Sequence, residues 1–168
     1  MRVSTLKTLC RLLNDAGVDY LVVGGVAAIA HGLMRHTNDI DFVFALTAEN
    51  LDKAMCALGS EGYKPLLPVD MRAFQDATIR ETWIKEKGMT VFQLFSDKHP
   101  ETSIDIFVTI PFDYEKEKTR TLSYQLEEGL GVPVVSREEL IAMKLRAGRP
   151  QDLDDVARLK KIEANEGA

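Results

Sequence analysis

The spacing of apolar residues at the start of the chain predicts a helix, a strand and a second helix. Four leucines recur at helical spacing, namely Leu6, Leu9, Leu12 and Leu13. Gly17 ends this first helix, and the apolar run Tyr20–Val23 then predicts a buried strand. Gly24 and Gly25 end the strand, and the small apolar residues Val26–Ala30 favour a helix that packs closely against a sheet.

The middle of the chain is predicted to be mostly sheet. Its apolar pattern predicts strands at Asp39–Phe44 and Ser103–Ile110, with a helix at Ala48–Leu58 after the first of them. Residues 59–68 are a loop with room for one short strand. Pro133 disfavours a central position for the strand that contains it. The remaining predictions are a hairpin of Thr82–Lys87 and Thr90–Phe95 joined around Gly88, and edge strands at Thr121–Leu126 and Val132–Val135.

The end of the chain is predicted to be helical. Ser136–Glu139 has the residues of a capping box, which opens a helix that runs to about Ala147. Asp152–Glu163 is amphipathic and predicts a last helix, with Asp152 either as its N-cap, which we favour, or in a helix-end salt bridge with Arg149. Together these elements predict an α/β fold, with a mixed β-sheet flanked by helices. It is a single domain over residues 1–168, with C-terminal helices from about residue 136.

Composition and charge narrow the class of protein. The 168 residues are 45% hydrophobic and 28% charged, as in ordinary soluble domains. The net charge of −5 argues against binding to nucleic acid through bulk electrostatics, although it leaves room for a local basic groove. The apolar run Leu21–Ala30 is too short to cross a bilayer, and Met1–Thr8 lacks the features of a secretory signal. We therefore expect a cytoplasmic protein without a membrane partner, in which Cys10 and Cys56 are inert packing thiols.

The acidic pair Asp39 and Asp41 is the first candidate for chemistry. Because strand residues alternate between faces, both carboxylates lie on one face of the predicted strand. Two adjacent carboxylates repel each other, and a divalent cation between them removes this repulsion. Oxygen ligands without a Cys/His set favour Mg²⁺ or Mn²⁺ over zinc. The alternative is that one Asp caps the turn after Asn38 and the other faces solvent.

Three further features point to a ligand-binding site. Asp105 is a carboxylate in an otherwise apolar strand and needs a partner, unless that position is half-exposed at an edge. Gly24 and Gly25 let a ligand approach the backbone at the start of a helix, although a glycine pair alone is only a turn. Lys144 projects from the apolar side of its helix, so its ammonium either meets an anion or snorkels to solvent.

The order of these features resembles the nucleotidyltransferase superfamily typified by kanamycin nucleotidyltransferase and DNA polymerase beta. The shared signature is a Gly-Gly or Gly-Ser helix opening, a D-x-D on the next strand and a third carboxylate on a later strand. Residues 35–41 (RHTNDID) look like the R-x-T-x-D-h-D form, where h is apolar, of AbiEii-type toxins and the small nucleotidyltransferase-like proteins related to them. Residues 144–156 (KLRAGRPQDLDDV) are similar to the K-x-x-A-G-R-x-x-D-x-x-D segment of the same group.

The resemblance implies a Mg²⁺-dependent transfer of a nucleotidyl group from a nucleoside triphosphate to an acceptor, with release of pyrophosphate. In the roles that it implies, Asp39 and Asp41 hold metal bound to the triphosphate. Asp105 completes a second metal site and helps to deprotonate the acceptor hydroxyl. Arg35 or Lys144 neutralises charge on the departing pyrophosphate, a task for which Arg149 is a poorer candidate. The catalytic set is thus Asp39, Asp41, Asp105 and Lys144, and the nucleotide-binding set is Gly24, Gly25, Arg35, Thr37 and Arg149.

Several acceptors and partners are compatible with this resemblance. The acceptor is an RNA such as tRNA, a protein or a small molecule, and a toxin of this kind implies a cognate antitoxin. The larger AbiEii-type toxins continue into a C-terminal helical region that helps to hold the acceptor, whereas the sequence here ends at Ala168. The alternative is therefore a non-catalytic nucleotide-binding or interaction protein with the same fold. A metal-dependent phosphohydrolase is a third interpretation.

Overall fold

The computed structural model describes residues 1–166, which contain both strands and helices. The strands are β1 (Tyr20–Val23), β2 (Asp39–Phe44), β3 (Tyr63–Pro65), β4 (Val91–Ser96), β5 (Ser103–Phe107), β6 (Leu122–Glu127) and β7 (Leu130–Val134). The helices are α1 (Val3–Asp15), α2 (Gly24–Ala30), α3 (Ala48–Ser60), α4 (Ala77–Lys87), α5 (Tyr114–Lys118), α6 (Arg137–Ala147) and α7 (Pro150–Glu166), with a 3-10 helix at Met71–Gln75. The predicted α/β fold is confirmed, whereas residues 167 and 168 of the predicted domain lie outside the described part of the chain.

The strands form one mixed sheet in the order β3-β4-β5-β2-β1-β7-β6. Strand β2 is antiparallel to β1 and parallel to β5, and β4 is antiparallel to β5. In this register Asp41 of β2 lies opposite Val23 of β1 on one side and Asp105 of β5 on the other. The end of β1 and the glycines that follow it are therefore next to two acidic strands in the middle of the sheet.

The core consists of apolar side chains from the sheet and from two groups of helices. Helix α1 packs on α3, while α6 packs on both α2 and α7. Helix α1 buries Leu9 and Leu13, as its spacing predicts, and it ends before Gly17. On β2, Phe42 stacks on Phe44 with ring centroids 5.5 Å apart, and both are fully buried. Both rings therefore lie on one face of β2 and contribute to the core.

The predicted hairpin is wrong in its first half, because Thr82–Lys87 belongs to helix α4. The Asp76 carboxylate caps this helix by accepting hydrogen bonds from two backbone amides of the first turn, at 2.8 and 3.3 Å. The helix ends at Gly88, whose φ of +60° is left-handed. Trp83 lies on the core-facing side of α4, where it is buried against Phe92 of β4. Only the second half of the predicted hairpin is a strand, which is β4.

The last strand and the last helix also differ from their predictions. Strand β7 lies between β1 and β6, although the sequence predicted an edge strand. Pro133 lies opposite Ser123 of β6, and β7 pairs with β1 at the next residue, Val134, with the amide of Val135 donating to the carbonyl of Val22. Helix α7 begins at Pro150, so Asp152 lies inside its first turn and is not its N-cap.

The two cysteines have different surroundings. Cys10 is buried as predicted, whereas Cys56 is exposed, so the prediction of a packing thiol is wrong for Cys56. Burial raises the pKa of the Cys10 thiol to about 12, although a hydrogen bond with Tyr20 partly lowers it. Over residues 1–166, none of the helices is both long enough and apolar enough to cross a membrane.

Candidate active site

Three acidic side chains meet in the middle of the sheet. Asp39 and Asp41 alternate with the buried Ile40 on β2, and Asp105 lies on β5 at the position paired with Asp41. One carboxylate oxygen from each Asp lies within 4.8 Å of the corresponding oxygens of the other two. All three side chains are half-buried. The two strands therefore direct their carboxylates toward a common point, as strand alternation and parallel pairing require.

The glycine pair lies so close to this cluster that a side chain would not fit. Gly24 has a φ of +62°, and a Cβ atom at this position would lie 1.9 Å from Oδ2 of Asp41. A Cβ atom on Gly25 would lie 2.5 Å from Oγ1 of Thr37. A side chain at either position would have to displace Asp41 or Thr37, and the left-handed backbone of Gly24 favours glycine there in addition. The absence of side chains lets the junction of β1 and α2 approach the acidic strand β2.

Each of the three carboxylates accepts a hydrogen bond from a neutral donor. The pairs are Thr37 Oγ1 with Asp39 Oδ1 (2.5 Å), the Gly25 N–H with Asp41 Oδ2 (3.4 Å) and Gln93 Nε2 with Asp105 Oδ1 (3.0 Å). A hydroxyl, a backbone amide and a side-chain amide have no formal charge. These donors therefore orient the carboxylates without neutralising them.

Burial and the repulsion of neighbouring carboxylates raise the pKa of two of these acids, Asp41 and Asp105. Burial, followed by the negative charges of Asp39 and Asp105, raises the pKa of Asp41 from 3.8 to about 7. Burial also raises the pKa of Asp105, against the hydrogen bond from Gln93 that lowers it. The amide of Gly25 and the charge of Lys144 lower the pKa of Asp41, but they do not offset this rise.

The donor set fits a divalent cation of the hard, oxygen-binding kind. Its ligand atoms are carboxylate oxygens from three side chains that converge on one point, which suits Mg²⁺ or Mn²⁺. A cation at that point would also remove the repulsion that raises the pKa of Asp41. The predicted metal ligands Asp39, Asp41 and Asp105 therefore lie where such a cation would bind.

A second wall of the site consists of three cations and two acids. Lys144 of α6 is buried, and its Nζ lies 2.7 Å from Oδ2 of Asp155 and 3.3 Å from Oδ1 of Asp152. Arg35 also pairs with Asp155, and Arg149 pairs with Asp152 through Nε and Oδ2 at 2.6 Å. The five groups form one chain of alternating charge, which we call the ion-pair chain. With three cations and two acids, the ion-pair chain has a net charge of +1.

The ion-pair chain changes two of the predicted roles. Lys144 meets an anion, as its place on the apolar side of α6 predicts, but the anions are Asp152 and Asp155 of the fold itself. Its side chain is only 6% exposed, so it does not snorkel to solvent. The carboxylate of Asp152 binds Lys144 and Arg149, and the predicted capping role is therefore wrong.

The predicted site residues line one cleft of about 190 Å³. They are Gly24, Gly25, Arg35, Thr37, Asp39, Asp41, Asp105, Lys144 and Arg149. Sequence reasoning gave no role to Gln93 or to Asp155, although Asp155 is the last acidic position of the segment 144–156 that resembles the family. Gln93 is a polar residue in an apolar strand, the same signal that singled out Asp105. Asp155 follows Asp152 by three residues, which places both on one face of α7 toward Lys144.

Solved structures with the same fold are nucleotidyltransferases. The crystal structure of ANT(2'')-Ia in complex with adenylyl-2''-tobramycin is similar with a TM-score of 0.60 at 14% identity, over 96% of this chain and 92% of that one. A candidate nucleotidyltransferase from Thermotoga maritima is similar with a TM-score of 0.56 at 17% identity, over 94% of this chain and 91% of that one. The chain therefore has the nucleotidyltransferase fold, with the carboxylate cluster described above in its central strands.

Comparison of the sequence with protein families identifies the family of the chain, which the fold alone does not. Residues 7–168 match the family described as nucleotidyl transferase AbiEii toxin of type IV toxin–antitoxin systems. The chain belongs to this family, which confirms the resemblance seen in residues 35–41 and 144–156. A comparison with curated protein sequences gave no match.

Proposed function

We propose that the protein is a Mg²⁺-dependent nucleotidyltransferase that moves a nucleotidyl group from a nucleoside triphosphate to the hydroxyl of an acceptor. The main support is the convergence of three carboxylates, each oriented by a neutral donor, on a cleft whose second wall is cationic. The family description supports the same reaction class. ANT(2'')-Ia, which shares the fold, was solved in complex with adenylyl-2''-tobramycin, and this also favours nucleotidyl transfer.

In the proposed reaction two of the carboxylates act on the triphosphate and the third acts on the acceptor. Asp39 and Asp41 would hold the cation shared with the triphosphate, and Asp105 would complete a second metal site. When bound, Mg²⁺ supplies positive charge to the phosphates. Asp105 accepts the proton of the acceptor hydroxyl, whose oxygen forms a bond to the α-phosphorus. The bond from the α-phosphorus to the bridging oxygen breaks, and pyrophosphate leaves.

The remaining residues of the cleft act on the phosphates. Because Gly24 and Gly25 carry no side chains, Asp41 and Thr37 lie directly against their backbone, and we propose that the triphosphate binds at this same junction. The ion-pair chain supplies the positive charge that the leaving pyrophosphate needs. Arg149 is the member best placed to move, because its side chain is 77% exposed. Thr37 acts through Asp39, to which its hydroxyl donates.

The proposed antitoxin partner rests on the family description and not on the geometry of the cleft. The family description names a type IV toxin–antitoxin system, so we propose that this protein is the toxin and has a cognate antitoxin. RNA, including tRNA, a protein and a small molecule are the candidate acceptors. We place the reaction in the cytoplasm, where nucleoside triphosphates are available.

The experiment that tests this proposal follows label from the triphosphate into an acceptor. The protein is incubated with Mg²⁺ and each of the four α-³²P-labelled nucleoside triphosphates, together with total RNA, soluble protein or a small-molecule extract. We expect label in one fraction, loss of that label in Asp41→Asn, and retention of it in Asp97→Asn, which changes an exposed Asp that pairs with Lys64 and does not line the cleft. Nucleotide binding without label in any fraction would instead favour a non-catalytic nucleotide-binding protein.

A further inference from the structure

Gln93 is the one donor of the carboxylate cluster that comes from outside the motifs discussed above. It lies on β4, which is antiparallel to β5, and it is paired directly with Asp105 in the register of the two strands. Its Nε2 donates a hydrogen bond of 3.0 Å to Oδ1 of Asp105. Gln93 is half-buried, between the buried Phe92 and Leu94 whose side chains point to the opposite face of the sheet.

The chemistry of an amide suits this position. A lysine or arginine there would neutralise Asp105 and compete with a divalent cation, whereas a neutral amide donates one hydrogen bond and adds no charge. Because Gln93 occupies Oδ1, the other oxygen of Asp105 stays available for a cation or for the proton of a hydroxyl. The backbone of Gln93 is itself held in place, since its carbonyl accepts a hydrogen bond of 2.9 Å from the amide of Leu66.

We propose that Gln93 is a positioning residue of the active site, which holds the Asp105 carboxylate in the orientation that completes the metal site. This inference rests on the proposed function, because it takes Asp105 to be a metal ligand. Groups that hydrogen-bond to metal ligands restrict the ligand to one orientation, and their removal typically weakens metal binding by about 10- to 100-fold. Gln93 acts through Asp105 and touches neither substrate nor metal in this role.

The test replaces Gln93 by side chains of similar size that cannot donate. Gln93→Leu and Gln93→Met both remove the amide, and the second keeps an unbranched chain in case the first does not fold. Gln125→Leu is the matched control, because Gln125 is an exposed glutamine on β6, and β2, β1 and β7 separate that strand from β5. Binding of Mn²⁺ alone to each purified protein is measured by electron paramagnetic resonance, and the melting temperature in EDTA reports folding.

We expect Mn²⁺ to bind at least about tenfold more weakly to both Gln93 variants than to the wild type, with Gln125→Leu unchanged. Similar melting temperatures in EDTA would show that the loss concerns the site and not the fold. A Gln93 variant that folds and binds Mn²⁺ as tightly as the wild type would overturn the role of Gln93 and leave the metal site intact. Absence of Mn²⁺ binding in the wild type would overturn the metal site itself, and the role of Gln93 with it.

Discussion

Asp41 shows how the protein keeps an acidic side chain beside two others inside the fold. Its Oδ2 accepts a long hydrogen bond of 3.4 Å from the amide of Gly25, and Asp39 and Asp105 lie beside it. Burial and these two charges raise its pKa to about 7. The folded protein therefore holds a proton that the unfolded chain releases at much lower pH, where the pKa of Asp is 3.8.

The first prediction concerns the stability of the cation-free protein as a function of pH. Because the folded-state pKa of Asp41 is raised, its contribution to stability is complete below pH 3.8 and is lost as the pH rises to about 7. We expect the melting temperature in EDTA to fall over this range, and Mg²⁺ to reduce the fall. Asp41→Asn cannot ionise, so its melting temperature should fall less steeply, whereas Asp97→Asn should follow the wild type. An equal slope in Asp41→Asn and the wild type would contradict this origin of the pH dependence.

The second prediction separates two cations of the ion-pair chain. Lys144→Ala leaves the buried carboxylates of Asp152 and Asp155 without their shared cation, and we expect the free energy of unfolding to fall by about 3–5 kcal/mol. Arg149→Ala removes a mostly exposed cation, so the corresponding loss should stay below about 1 kcal/mol. Urea denaturation monitored by circular dichroism measures both values. A fully stable Lys144→Ala variant would show that its ion pairs do not hold the fold together.

At the scale of elements, the short apolar strands were the most predictable part of the chain. Strands β1 and β2 have the predicted bounds. The glycine pair marks the end of the apolar run of β1, and the acidic pair marks the start of β2. The alternation of apolar residues did not predict helix α4. This helix depends on the Asp76 cap at its start and on the packing of Trp83 against Phe92 of strand β4. The role of Asp155 depends on how α6 packs against α7, and no local pattern gives that arrangement.

The junction of β1 and α2 gives the third prediction. Gly24 and Gly17 have nearly the same φ, +62° and +63°, but only Gly24 has Asp41 in the space that a Cβ atom would occupy. Both alanine variants should lose about 1–2 kcal/mol of stability from the left-handed backbone. Gly24→Ala should in addition displace the Asp41 carboxylate and abolish Mn²⁺ binding, which Gly17→Ala should keep. Equal Mn²⁺ affinities in the two variants would contradict the close contact of the junction with the acidic strand.

At the scale of the whole molecule, the cleft is assembled from segments far apart in sequence. The glycines follow β1, the acids lie on β2 and β5, and the ion-pair chain joins the loop before β2 to α6 and α7. The sequence pattern, with the family resemblance, selected residues that the fold brings to one cleft, but it did not select other lining residues such as Phe107, Met143 and Gln151. The pairings within the cleft required the structure, because strand order and helix packing decide which side chains meet.

The position of the label in the triphosphate shows whether this cleft transfers the nucleotidyl group itself. Reactions with Mg²⁺ and the fraction that contains the acceptor are run in parallel with triphosphate carrying ³²P at the α or at the γ position. We expect α-label to enter the acceptor while γ-label is released as pyrophosphate in equal amount, and Asp41→Asn to do neither. Transfer of γ-label to the acceptor, or release of γ-label as inorganic phosphate without labelling of the acceptor, would contradict it.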